Sequence, residues 1–129
     1  MATPQDIEGY LIQMGVSYEE LADQTWMIHD EYETIDNIVV RFNDPVVLFR
    51  VKLMDIPEGA SQKELFEMLL RLNATDMIHG AYGLEGGAVV ATDTLQAENL
   101  DFNEFQASVD SLQMAVASHL DELAAYRNC

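Results

Sequence analysis

The chain has little cysteine and little positive charge, and each shortage removes a class of protein. A single cysteine, Cys129, allows no internal disulfide and no metal site of its own. It reads as a dispensable terminal thiol, since a prenylation motif needs the cysteine fourth from the end. Only 6 Lys and Arg stand against 23 Asp and Glu, a net charge of −17. A field of that sign repels a phosphate backbone and an anionic bilayer surface, so neither nucleic acid nor membrane is expected as a partner. Long hydrophobic runs are missing too. Val46, Val47, Leu48 and Phe49 make one of the longest, far too short to span a bilayer. The first six residues lack the basic start and apolar run of a signal peptide, so a cytoplasmic location is expected.

What is present is a folding composition, 49% hydrophobic and 22% charged over 129 residues, which suits one domain spanning residues 1–129. Thr3 followed by Pro4 opens a helix, and Ile7, Tyr10, Leu11 and Met14 give it one apolar face before Gly15 stops it. Ser17 and Glu20 have capping-box spacing, which predicts a short helical turn over residues 17–23. A short strand is expected over residues 26–30. Two clearer strands follow. Ile38, Val40 and Phe42 alternate with Val39, Arg41 and Asn43, and Val47, Phe49, Val51 and Leu53 alternate with Leu48, Arg50, Lys52 and Met54. Asn43-Asp44-Pro45 marks a turn between them. Pairing Phe42 with Val47 sets Val40 against Phe49 and Ile38 against Val51, which makes one face of this hairpin wholly apolar. Ser61 with Glu64 predicts a capped helix with Leu65, Phe66, Met68, Leu69 and Leu72 on its face, ending between Asn73 and Met77.

Four of the 7 glycines then fall within residues 80–87. A phosphate-cradling loop needs a lysine and a Ser or Thr after its last glycine, opening a helix. Here Ala88, Val89 and Val90 follow and open a strand, so the glycines form a hairpin turn around Glu85-Gly86-Gly87. Asp101 and Glu104 cap a long amphipathic helix over residues 101–126. The order is α-β-β-β-α-β-β-α: an α+β domain with helices packed on a twisted antiparallel sheet.

Chemistry is hard to find. His29, His79 and His119 are isolated, without ligand spacing, and are expected at the surface or at strand ends. Asp101-Phe102-Asn103-Glu104 begins like a calcium loop but fails at Phe105 and Gln106. Asp30-Glu31-Tyr32-Glu33 reads as a solvated turn, and no serine sits in a nucleophile elbow. No catalytic residue, cofactor or metal is expected, and the chain is not read as an enzyme. One asymmetry does point to a partner. Three of the 6 cations, Arg41, Arg50 and Lys52, share the outer face of the predicted hairpin with Val39, Leu48 and Met54. Such a mixed apolar and cationic patch suits another protein chain, unless the cations merely pair with nearby carboxylates.

With these elements in order, the chain resembles the class I type III secretion chaperone family, also called the Tir-chaperone or CesT-like family. Residues 64–123, "ELFEMLLRLNATDMIHGAYGLEGGAVVATDTLQAENLDFNEFQASVDSLQMAVASHLDEL", carry the resemblance most specifically, with "SYEELADQTWMI" at residues 17–28 matching in layout. The YbjN-like family shares the plan. The resemblance implies a homodimeric, non-catalytic, ATP-independent chaperone that keeps an effector's N-terminal segment extended. The alternative it carries is a stand-alone regulatory protein of the same fold. It also implies a dimer built around the second helix and the following strand. The interface candidates there are Leu65, Met68, Leu69, Leu72, Ile78, Tyr82 and Leu84.

Overall fold

The structure, a computed structural model, describes residues 1–29, 38–77 and 79–126. The Asp30–Glu33 turn, Ile78 and Cys129 lie outside the described residues. Along the chain run α1 (Pro4–Met14), β1 (Tyr18–Ala22), β2 (Thr25–Ile28), β3 (Ile38–Asn43), β4 (Val46–Asp55), α2 (Ser61–Thr75), β5 (Ala81–Glu85), β6 (Ala88–Gln96) and α3 (Phe102–Ala124). The strands form one antiparallel sheet of order β1-β2-β3-β4-β6-β5. The α+β architecture is the expected one, with a sixth strand added.

That strand, β1, replaces the helical turn expected over residues 17–23. The capping spacing of Ser17 and Glu20 loses to pairing with β2, in which Tyr18 faces Ile28 and Glu20 faces Trp26. Gln24 turns the chain in the left-handed region at φ 60°, and the Ser17 carbonyl accepts the His29 amide at 2.9 Å. Tertiary pairing overrides the local helical option.

The β3–β4 hairpin has the register its alternation demands, with Phe42 opposite Val47, Val40 opposite Phe49 and Ile38 opposite Val51. All three helices cover this apolar face. Ile7 and Leu11 of α1, Leu65, Leu69 and Leu72 of α2, and Phe105, Val109, Leu112, Val116 and Leu123 of α3 join the inward residues of β2, β3, β4 and β6 in one buried cluster. Phe105 sits between sheet and helix, its ring centroid 5.4 Å from those of both Phe49 and Tyr10.

The helix starts differ in how they are satisfied. At α1 a full capping box forms, the Asp6 amide donating to Thr3 Oγ1 and the Thr3 amide to Asp6 Oδ2. At α3 Asp101 accepts the Glu104 amide at 2.8 Å. The capping box expected at Ser61 and Glu64 does not form. The cap position is Ala60, itself helical and without a side-chain bond, and Ser61 lies one residue inside the helix. The β5–β6 turn carries Gly86 and Gly87 at φ 55° and 83°, as a two-residue hairpin turn of this hand requires.

Candidate functional site

The helices pack on one face of the sheet, and strand alternation decides what lies on the other. Val39, Arg41, Leu48, Arg50 and Lys52 all point away from the core, as the hairpin pattern implies. Val39 and Leu48 are half-buried among their neighbours, while Arg41 is exposed. Two of the cations are already paired. Arg50 Nε lies 2.7 Å from Glu85 Oε1 and Lys52 Nζ 3.0 Å from Asp55 Oδ1, both pairs open to solvent. Such surface pairs contribute at most about 1 kcal/mol each. Arg41 has no ion pair among the described residues. The patch is therefore uneven: charge-balanced toward β5, with the unpaired cation toward β3.

Met54 does not belong to this face. The β4–β6 register shifts between Lys52, opposite Val90, and Met54, opposite Val89. This bulge adds a residue to β4, so strict alternation fails and Leu53 and Met54 both enter the core, 8% and 6% exposed. The outward position assigned to Met54 is corrected accordingly.

The second surface runs where α2 meets β5. The interface expected there loses four residues to the chain's own core. Leu65, Leu69, Leu72 and Tyr82 are 0%, 5%, 7% and 6% exposed, because the helix stripe that looks most apolar is the one that packs inward. Met68 is half-buried against the same core. Leu84 remains outside, and sequence reasoning missed its companions. Phe66, Leu70 and Asn73 of α2, with Gly83 and Leu84 of β5, border a groove of about 190 Å3. Leu70 and Leu84 are 68% and 52% exposed, and no ionisable side chain borders the groove except the buried phenol of Tyr82. The signal was present as a second helical stripe, Phe66, Leu70 and Asn73 at i, i+4 and i+7.

Tyr82, at the base of this groove, is held at both ends. Its amide donates to Asn73 Oδ1 at 2.7 Å and its carbonyl accepts from Asn73 Nδ2 at 3.1 Å. Its hydroxyl lies 2.6 Å from His119 Nδ1, and His119 Nε2 lies 3.1 Å from Asp76 Oδ2. With the hydroxyl donating to Nδ1, Nε2 carries the proton directed at the carboxylate, and one neutral tautomer satisfies the whole chain. His119 is only 3% exposed, in the middle of this network on α3. The surface or strand-end position expected for it is corrected: the ring faces inward because two partners distant in sequence wait there. Burial, and then the negative charges of Glu122 and Asp76, push the Tyr82 phenol well above its ordinary value. The Thr75 hydroxyl and then His119 hold the Asp76 carboxyl below its own. Each polar group here is occupied by another, which makes a brace joining β5, α2 and α3 rather than a set of free reactive groups. Among the described residues, no cluster of three or more His, Cys, Asp or Glu side chains could hold a metal ion. None of the described helices is long and apolar enough to cross a membrane.

Three helices packed on a six-stranded antiparallel sheet make this a fold of the type III secretion chaperone kind. The chain belongs to the CesT_Tir_1 family, whose model matches residues 1–128. No curated protein matches it. Among solved structures it is similar to YbjN from E. coli, at 12% identity and a TM-score of 0.69, covering 94% of this chain and 93% of that one. It is similar also to a chain of the heterodimeric ExoU–SpcU complex from the type III secretion system of Pseudomonas aeruginosa. That match has 17% identity and a TM-score of 0.68, covering 95% and 98% of the two chains. A chain of the HopA1–SchA chaperone–effector complex matches at 11% identity and a TM-score of 0.68, covering 91% of each.

Proposed function

We propose that this chain, acting as one domain over residues 1–129, is a non-catalytic, ATP-independent protein-binding chaperone of the cytoplasm. It holds an extended segment of a protein partner, such as an effector N-terminus, on a homodimer. The observation that carries this reading is the sheet face turned away from the helices, where half-buried Val39 and Leu48 adjoin Arg41, a cation with no ion pair among the described residues. Membership of the CesT_Tir_1 family and the likeness to chaperone–effector complexes support it. The dimer reading rests on the family resemblance, and charge restricts where two copies can meet. Two copies of a chain at −17 repel one another over most of their surface. The α2–β5 groove, with Leu70 and Leu84 exposed and no charged side chain bordering it, is where they can meet.

A second reading, a stand-alone regulatory protein of the YbjN-like fold, has its own support. Arg50 and Lys52 satisfy their charges within the chain, which leaves less of the face for a partner, and the YbjN structure is similar over nearly the whole chain.

The deciding experiment is co-purification with a tagged copy from the native cytoplasm, with light scattering on the eluate. A dimer carrying one stoichiometric protein that is insoluble when expressed alone supports the chaperone. A dimer that stays empty favours the regulator. Leu48→Asp keeps the fold and loses the client, whereas Met54→Asp buries a carboxylate in the core and destabilises the fold by several kcal/mol, about 3 or more. Leu70→Asp converts the dimer to a monomer of unchanged circular dichroism.

A further inference from the structure

Sheet edges invite the addition of another strand, because alternate residues of an edge strand direct their N–H and C=O groups outward. In β5, paired to β6 on one side, Tyr82 is such a residue, since its backbone groups bond Asn73 rather than β6. Leu84, two residues on, faces the same way, and among the described residues its outward groups have no hydrogen-bond partner. Within the five residues of β5 these are the two outward positions.

We infer that Asn73 is a specificity-determining residue that closes the β5 edge to an incoming strand. Its side-chain amide presents one acceptor and one donor to a single backbone residue. That is what a neighbouring strand would present in an antiparallel bonded pair. The two bonds, at 2.7 and 3.1 Å, also fix which end of the amide is oxygen, because the Tyr82 N–H can meet only an acceptor and its C=O only a donor. With Tyr82 occupied, Leu84 alone remains outward, and one residue cannot start a ladder. α2 reinforces the closure, since Phe66 and Leu70 border the groove above Leu84. No other side chain fits this place as well. Aspartate keeps the acceptor but sets a negative oxygen against the Tyr82 carbonyl, and alanine leaves both backbone groups open. The inference goes beyond the dimer reading. It concerns which kind of contact the flank refuses, whether or not two copies meet there by their side chains.

The test compares full-length wild type, Asn73→Ala and Asn73→Asp. Amide hydrogen exchange is followed residue by residue on dilute, unassembled protein, with light scattering and thioflavin T fluorescence on concentrated samples. In wild type the Tyr82 amide is protected. In Asn73→Ala it exchanges about tenfold faster or more, as expected for loss of a hydrogen bond of ordinary net worth, while the β6 amides keep their rates. This variant also gains sheet-extended, thioflavin-positive assemblies. Asn73→Asp keeps the Tyr82 amide protected and does not assemble, because its carboxylate repels an arriving carbonyl. An unchanged Tyr82 rate in Asn73→Ala overturns the inference. So does equal assembly by both variants, which would trace association to lost stability instead of an opened edge. If Asn73→Ala does not fold, Asn73→Asp decides alone: a Tyr82 amide exchanging as fast as that of Leu84 sinks the idea. None of these outcomes depends on a client or on the dimer, so the inference and the proposed function fail separately.

Discussion

The two edges of the sheet are guarded in different ways. Among the described residues β1 pairs only with β2; it is exposed along four of its five residues and carries Glu19 and Glu20 in its middle, with a register shift just beyond them. Charge and irregularity discourage a passing strand there, the common protection of an exposed edge. β5 carries no charge until Glu85, runs Ala81-Tyr82-Gly83-Leu84, and is guarded by a side chain from the adjacent helix. Protection by charge leaves an edge wet and adaptable. Protection by a hydrogen-bonded amide makes the edge part of the core, and the Tyr82–His119–Asp76 chain extends that hold to α3. The lesson is that one sheet can guard one edge with charge and the other with a side-chain hydrogen-bonded pair. The hydrogen-bonded edge lies beside the groove that Phe66, Leu70 and Leu84 border.

Substitutions at the two edges should therefore differ widely in effect. Tyr82→Ala removes a buried aromatic ring together with its hydroxyl bond, and should cost about 3–5 kcal/mol in a denaturant titration. A loss below about 1 kcal/mol would mean that β5 is not held as described. Tyr82→Phe is milder. It keeps the ring and leaves the His119 acceptor unpaired in a buried place, a loss of about 1–3 kcal/mol. It also carries a pH signature. The folded phenol titrates above the unfolded one, whose value is about 10, so its contribution is complete below that pH and fades as pH rises beyond it. Wild type should lose stability above about pH 10 more steeply than Tyr82→Phe, read as the difference in midpoint between pH 8 and pH 11. At the other edge, Leu21→Lys replaces a half-exposed side chain of β1 and should change stability by about 0.5 kcal/mol or less. A large loss there would end the contrast between the edges.

Much of the architecture was legible because its signals are local. Period-two alternation with a turn between set the β3–β4 register, and Gly86-Gly87 before a β-branched run set the β5–β6 turn. Periodicity and the Thr3 cap set α1. β1 was misread because Glu19, Glu20, Leu21 and Ala22 are good helix formers in a capping pattern, and only the presence of β2 makes them a strand. The outward position of Met54 failed on one extra residue in β4, a bulge that no local pattern announces. For the candidate surfaces, the cationic row Arg41, Arg50 and Lys52 could be read directly from alternation. The interface residues on α2 could not be sorted, since an apolar stripe looks the same whether it meets its own sheet or another molecule.

The sequence by itself determined the charge, the helix faces, the hairpin registers and an α+β order that resembles one family. These follow from interactions reaching a few residues along the chain. Only the tertiary structure decided that Asn73 meets the backbone of Tyr82 nine residues away, and that His119 meets the Tyr82 hydroxyl 37 residues away and the Asp76 carboxylate 43 residues away. Each of those side chains is polar, and polar side chains usually face water. His119 and Tyr82 are buried here, with Asn73 half-buried beside them and Asp76 at the surface end, because the fold brings each a complementary group, and that complementarity belongs to the assembled chain.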